Sequence, residues 1–257
     1  IRFSSATPNG RPIDGEVREA LEQTASLLEE LGHEVEERDI ELDWRAMYRA
    51  QGAIGSANMA CGIDEIVIVI GYLHGQIEIF VRDTFPELNV QFIINNRFAE
   101  TNTGYSLMLA ADFVAGSDFA KFDGDVVFEE NVLRRLLASE DDNCLCIDRN
   151  IQLDSEEVKV MLVDDTRIVR ASKEVPPVDA IGESIGIEKI NGYTADLLFA
   201  ELRMMMQSPD NFKEYYEAAY ERLIAKNVVF NAVDITEFKW TEIDTLQDFD
   251  AAEQMFG

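Results

Sequence analysis

The sequence predicts an α/β fold built on a mostly parallel sheet flanked by helices, and three observations carry that expectation. From Ile66 to Ala138 short apolar runs alternate with amphipathic stretches, the order that parallel strands joined by crossover helices require. The run Ile66-Val67-Ile68-Val69-Ile70 is unbroken and β-branched, as suits a strand covered on both faces. Hydrophobic residues make up 47% of 257, enough to fill one large core or two small ones.

The elements follow in order. Ile1 to Ser5 reads as a strand, and Pro8 to Gly15 as a loop punctuated by Gly10, Pro12 and Gly15. Glu16 to Leu31 is an amphipathic helix with Leu21, Ala25, Leu28 and Leu31 as its apolar stripe and Gly32 as its C-cap. A short polar strand, Glu34 to Ile40, precedes a helix from about Asp43 to Met59. After the strand Ile66 to Tyr72 come helix Gln76 to Phe85, strand Val90 to Asn95, helix Gly104 to Phe113, strand Phe119 to Phe122 and helix Glu129 to Ala138. From Cys144 the pattern turns strand-rich, with Cys144 to Asp148, Val158 to Val163, Arg167 to Ala171 and Ser184 to Ile190. Helices Thr194 to Met206 and Asn211 to Ala225, strands Val228 to Ile235 and Trp240 to Ile243, and a helix Leu246 to Met255 complete the order.

Charge narrows the function classes. With 22 Lys+Arg against 50 Asp+Glu, the net charge of −28 repels nucleic acid and anionic membranes, leaving small molecules or proteins as partners. An anionic substrate must then be received by local cations, backbone N–H groups or a metal, and a free nucleotide would arrive as its Mg²⁺ complex. Of three cysteines, Cys144 and Cys146 are spaced to share one strand face, where they read as core rather than as a disulfide or metal site. No apolar run is long enough to span a bilayer and no signal-peptide pattern opens the chain, so a cytoplasmic protein is expected. With Ile1 in place of Met, a processed or truncated start is expected.

The segments Lys121-Phe122-Asp123-Gly124-Asp125-Val126-Val127-Phe128 and Trp240-Thr241-Glu242-Ile243-Asp244-Thr245 each combine an apolar run with carboxylates. Two strands of this kind can deliver oxygen ligands to one Mg²⁺. Other roles stay open: Asp-Gly also marks turns, Asp244 could cap the last helix, and Lys159 on an alternating strand could face solvent. His33 and His74 are isolated from any zinc-like spacing, and packing explains Tyr215, Tyr216 and Tyr220 at helical spacing.

Residues from about Gly62 onward resemble the nucleotidyltransferases of the sugar-nucleotide pyrophosphorylase type. They are most similar to the branch that couples CTP to phosphorylated polyols, choline phosphate or sugar phosphates. The resemblance is carried by Gly62 to Tyr72, Glu100-Thr101-Asn102-Thr103-Gly104-Tyr105-Ser106-Leu107, Asp123-Gly124-Asp125, Gly182-Glu183-Ser184-Ile185-Gly186-Ile187 and Trp240 to Thr245, over about three quarters of the chain. It implies a three-layer, Rossmann-like fold of the GT-A kind. It also implies Mg²⁺-dependent transfer of a nucleotidyl group, from CTP by preference, to a small phosphorylated acceptor with release of pyrophosphate. By the same resemblance Asp125 and Asp244 hold Mg²⁺ with Glu242 as a further metal residue, and Lys159 supplies a catalytic cation. Thr101, Asn102, Ser106 and Asp123 lie on the nucleotide side, and Glu183 lines the acceptor pocket.

The family's opening strand and glycine-rich phosphate loop have no match here. Residues 1–60 instead resemble a fragment of the amidase-signature hydrolases, through Arg2-Phe3-Ser4, Thr7-Pro8-Asn9-Gly10, Pro12-Ile13-Asp14 and Leu31-Gly32-His33-Glu34-Val35. The Ser-Ser-Lys machinery of those enzymes is missing, so amide hydrolysis is not expected. The expected organisation is a non-catalytic segment 1–60, joined near Met59-Ala60-Cys61-Gly62 to a truncated transferase domain 61–257. In it, Asn9-Gly10-Arg11-Pro12 is the nearest substitute for the missing loop. The competing expectation is a catalytically silent α/β binding module or chimeric fragment.

Overall fold

The structure is a computed structural model, and it describes residues 2–3, 15–37, 65–150, 153 and 157–256. The expected helix from Asp43 to Met59, the Asn9 to Pro12 loop, Cys61 and the join near Met59 lie outside the described residues. The chain divides into two compact units, Ile1–Arg49 and Ala50–Gly257.

In the first unit, β1 (Arg2–Phe3) pairs in parallel with β2 (Glu36–Glu37), and α1 (Gly15–Glu30) lies between them in sequence. Leu21, Ala25 and Leu28 are half-buried on α1, whereas Leu31, past the helix end, is exposed. Gly32 ends the helix as expected: its φ of 88° is open to glycine, and its N–H donates to the Glu29 carbonyl at 2.9 Å.

The second unit begins with a βαβ element. Here β3 (Ile66–Ile70) pairs in parallel with β4 (Val90–Ile94), connected through α2 (His74–Thr84). Of the β3 residues only Ile70 is fully buried, so the run expected to be covered on both faces is half-covered. The expected single helix from Gly104 to Phe113 is broken at Ala110 into α3 (Thr103–Leu109) and the short α4 (Ala111–Val114).

The main sheet is organised by its longest strand, β10 (Gly182–Ile190). Along one edge β10 runs antiparallel to β7 (Cys144–Asp148); along the other it meets β8 (Lys159–Leu162) with its first residues and β5 (Phe119–Phe122) with its last. The outer strands are β9 (Ile168–Ser172), antiparallel to β8, and β11 (Asn231–Asp234), parallel to β7. The sheet is therefore mixed and not mostly parallel: β7–β11 is its one parallel pairing among the described residues and every neighbour of β10 is antiparallel, while the parallel β3–β4 pair is a separate two-stranded sheet. A separate antiparallel pair joins β6 (Val126–Phe128) to β12 (Trp240–Glu242). Three residues directly after an Asp-Gly-Asp turn are too short a run for β6 to be legible as a strand of its own.

Alternation along the strands sorts the core into two layers. Leu145 and Ile147 of β7 face a cluster with α6 (Gly192–Met205) and α7 (Glu217–Ala225), including Leu198, Phe199, Leu202 and Tyr220. Cys144 and Cys146 face the other way, with Ile185, Ile187, Phe128 and the Val132, Leu133 and Leu136 stripe of α5 (Glu130–Ala138). Helices thus lie on both faces of the sheet, and α8 (Leu246–Phe256) follows β12. Pro209–Lys213 is a 3₁₀ turn, so the helix expected from Asn211 begins only at Glu217. Among the described residues no helix is long and apolar enough to cross a membrane.

The β10–β7 register shifts between Ser184 and Glu188, where Gly186 takes a φ of 71°. A Cβ at Gly186 would lie 2.2 Å from the Asp123 Oδ2. Gly186→Ala is therefore expected to cost about 1–3 kcal/mol in denaturant unfolding. Gly124→Ala, where an added Cβ meets open space, serves as the matched control and should change stability little.

Candidate active site

The turn Asp123-Gly124-Asp125 links β5 to β6, and the β6–β12 ladder sets Glu242 opposite Val126. One step further the ladder is continued by the Ile243 N–H, which donates to the Asp125 carbonyl at 2.9 Å. Asp125 and the Glu242-Ile243-Asp244 segment are neighbours for this reason. Burial raises the Asp125 carboxyl above its ordinary range, and the charges of Asp123 and Asp244 add to the rise. Burial also lifts Glu242 to about 7, reinforced by Asp125, Asp244 and Asp123. Four carboxylates from two segments more than a hundred residues apart thus share one electrostatic environment.

Capping of α8 does not account for Asp244. The Thr245 N–H and hydroxyl donate to Asp248 Oδ2 at 2.8 and 2.7 Å, and the Asp248 N–H donates back to the Thr245 hydroxyl at 3.3 Å. That reciprocal pair caps the helix.

Lys159 on β8 stands in register with Glu183 on β10, which stands in register with Asp148 on β7. Lys159 is 1% exposed and donates to the Glu157 carbonyl at 3.0 Å. It is a core residue, not one on a solvated face. Glu183 is 5% exposed, and its Oε2 and the Ser184 hydroxyl have no hydrogen-bond partner among the described residues. Burial lifts the Glu183 carboxyl to about 8, with Glu242, Glu157 and Asp148 adding to the rise and Lys159 opposing it. The Trp240 indole N–H donates to Asp148 Oδ2 at 2.8 Å, tying β12 to the end of β7.

Thr101, Asn102 and Ser106 are engaged within the protein. Asn95 Nδ2 donates to the Thr101 hydroxyl at 3.0 Å and to the Ser106 hydroxyl at 3.2 Å. The Asn102 side chain accepts from the Thr103 N–H at 2.8 Å as the N-cap of α3, and its amide donates to the Lys213 carbonyl at 3.3 Å. These residues fix the start of α3 against the 3₁₀ turn Pro209–Lys213.

Beneath the Asp-Gly-Asp turn lies a network that sequence reasoning missed. Lys121 Nζ is 2.9 Å from Asp123 Oδ1 and 3.2 Å from Glu188 Oε2, and sits 3.4 Å from the centroid of the Tyr216 ring. The Tyr216 hydroxyl lies 2.9 Å from Asp123 Oδ2 and 3.1 Å from Glu188 Oε1. Burial acts against the Lys121 charge, yet Glu188 and Asp123 outweigh it and the ammonium is held above its usual range. Burial lifts Glu188 to about 8 despite Lys121, because one cation cannot offset two carboxylates. The single Tyr216 hydrogen can be donated to only one of its two acidic neighbours, so the other must carry a proton of its own, and burial favours Glu188 for it. The i, i+2 placement of Lys121 and Asp123 on a strand was a usable signal; the Tyr216 and Glu188 contacts are tertiary and left none.

The donor set fits a hard divalent cation. Among the described residues no three His, Cys, Asp or Glu side chains form a ready-made metal cage. Mg²⁺ does not require one: it retains water and is bound through one or two carboxylates together with substrate phosphates.

Glu188 also sets a pH dependence. Its carboxyl is raised in the fold, so its contribution to stability is complete below the unfolded value of 4.5 and is lost as pH rises toward about 8. Unfolding free energy measured between those limits should fall with pH, by up to about 1.4 kcal/mol per pH unit for one proton. Glu188→Gln should flatten that slope, and an unchanged slope would count against the protonated Glu188.

Residues 55–170 match a family model described as a domain of unknown function, DUF6564. The chain is 24% identical over 210 residues to CMP-5'-(3-aminopropyl)phosphonate synthase of Streptomyces rubellomurinus, covering 76% of this chain and 32% of that protein. It is 40% identical over 70 residues to choline-phosphate cytidylyltransferase of Haemophilus influenzae, covering 27% of this chain and 28% of that protein. The chain thus spans about a third or less of the length of these curated relatives. The inositol-1-phosphate CTP transferase from T. maritima superposes with a TM-score of 0.65 at 17% identity, over 80% of this chain and 82% of that one. The amidase-like reading of residues 1–60 finds no support in these relatives. The chain has the Rossmann-like α/β fold of the nucleotidyltransferases and is related in sequence to cytidylyltransferases.

Proposed function

We propose that the protein is a Mg²⁺-dependent cytidylyltransferase that couples CTP to a small phosphorylated acceptor and releases pyrophosphate. An acceptor phosphate oxygen forms a bond to the α-phosphorus of CTP, and the bond from that phosphorus to the bridging oxygen breaks with its electron pair leaving on pyrophosphate. The observation that carries this reading is the meeting of Asp125 with the Asp244 segment through the Ile243 to Asp125 hydrogen bond. Asp125 and Asp244 would hold the ion, with Glu242 beside them. When bound, Mg²⁺ would neutralise phosphate charge and draw electron density from the α-phosphorus.

The chain's own residues do the rest. Lys159, buried and opposite Glu183, would serve as a fixed point charge toward the transferring phosphoryl group. Glu183, with its unpartnered Oε2, would receive a donor group of the acceptor. Thr101, Asn102 and Ser106 would shape the nucleotide side by fixing the start of α3. The relatives' printed names favour CTP as donor and a phosphate or phosphonate as acceptor.

A second reading, a catalytically silent binding module, is favoured by residues 1–60, in which nothing matches the glycine-rich loop that grips a triphosphate in the resembled family. Each such donor is worth about 3–4 kcal/mol of transition-state stabilisation.

Two measurements separate the readings. Pyrophosphate release from CTP with Mg²⁺ should be screened over choline phosphate, inositol phosphate, sugar phosphates and an aminoalkyl phosphonate. Transferase function predicts turnover that Asp125→Asn and Asp244→Asn each reduce by at least about 100-fold. Divalent-ion binding without turnover would select the silent module, and turnover indifferent to both substitutions would refute the metal assignment.

A further inference from the structure

Asp123 stands two residues before Asp125 but differs from it in one respect: both of its carboxylate oxygens are already held by the protein. Lys121 takes Oδ1 at 2.9 Å and the Tyr216 hydroxyl takes Oδ2 at 2.9 Å, while the Asp123 N–H donates to the Gly186 carbonyl at 2.9 Å. Gly186 leaves no room for the carboxylate to move toward β10, since even a Cβ there would lie 2.2 Å from Oδ2. Lys121 and Tyr216 are themselves fixed, by the 3.2 Å contact of Lys121 with Glu188 and by the ammonium against the Tyr216 ring. The contacts come from β5, β10 and the residue that opens α7, so three elements converge on one carboxylate.

We infer that Asp123 is a strut, not a ligand, and that Lys121 and Tyr216 act through it to position the Asp125 carboxylate for a divalent cation. Lys121, Tyr216 and Asp123 are positioning residues in this assignment, which rests on the metal role of Asp125 and Asp244 proposed above. Nothing in the composition of the turn distinguishes its two aspartates; the difference lies in what stands behind each.

The test is calorimetric titration of the intact chain with Mn²⁺, a readout independent of turnover. Tyr216→Phe removes one hydroxyl and should weaken Mn²⁺ binding by about 10- to 100-fold, the usual effect of losing a group that orients a metal ligand. Tyr220→Phe is the control: that ring packs against Tyr216 in the same core, and its hydroxyl has no hydrogen-bond partner among the described residues. It should change binding by no more than about twofold. Circular dichroism checks that each variant folds, and Lys121→Gln tests the other oxygen of Asp123 if Tyr216→Phe does not. Native-like Mn²⁺ affinity in Tyr216→Phe or Lys121→Gln, with binding lost in Asp125→Asn, would overturn the strut and leave the metal assignment standing. Native-like affinity in Asp125→Asn would instead remove the metal assignment and the strut with it.

Discussion

One ammonium shared by two acidic side chains governs this structure: Lys121 lies between the half-buried Asp123 and the fully buried Glu188, with the Tyr216 hydroxyl bridging the far side. Taking these charges out of water is unfavourable unless each polar atom is matched by a partner, so the arrangement constrains everything around it. Gly186 must lack a side chain and adopt a left-handed φ to let Asp123 in. The bulge that results breaks the β10–β7 register between Ser184 and Glu188, leaving Glu183 and Glu188 on opposite sides of the irregularity. Glu188 is then committed to the interior network, and Glu183 stands in register with Lys159 on the neighbouring strand.

The same constraint orders the chemistry along the chain. A turn anchored from below can present Asp125 outward, and the short β6 that follows it is the strand against which β12 pairs. Hydrogen bonding between β6 and β12 brings the Asp244 segment to Asp125 from more than a hundred residues away, and Trp240 locks that pair to Asp148 at the end of β7. Burial raises the carboxyls of Asp125, Glu242 and Glu183, and the charges of the neighbouring carboxylates add to the rise. Repulsion of this kind is tolerated where a cation or a bound substrate is to relieve it.

Much of this was legible in the residues. The alternation of strand and helix, the facing of Cys144 and Cys146 to one side and the acid-bearing ends at Asp125 and Asp244 all follow from local periodicity and composition. Elements that depend on distant partners were not legible. The three-residue β6 exists only because β12 pairs with it, and the antiparallel neighbours of β10 cannot be told from parallel ones by hydrophobic pattern alone. Tyr216 looked like one of three tyrosines packed at helical spacing, and packing does describe Tyr220. The hydroxyl contact to Asp123 depends on a strand 93 residues earlier in the chain. Lys159 was legible as a candidate from its resemblance and not from its pattern, since an alternating strand predicts solvent where the fold supplies burial.

The central claim is that Asp125 and Asp244 serve one ion. A crystal of the intact chain grown or soaked with Mn²⁺ and CTP, with anomalous data collected near the manganese edge, tests it directly. A single peak within about 2.2 Å of a carboxylate oxygen from each of Asp125 and Asp244 is the result expected. A peak bound to neither, or to Asp123 in place of Asp125, would contradict the account.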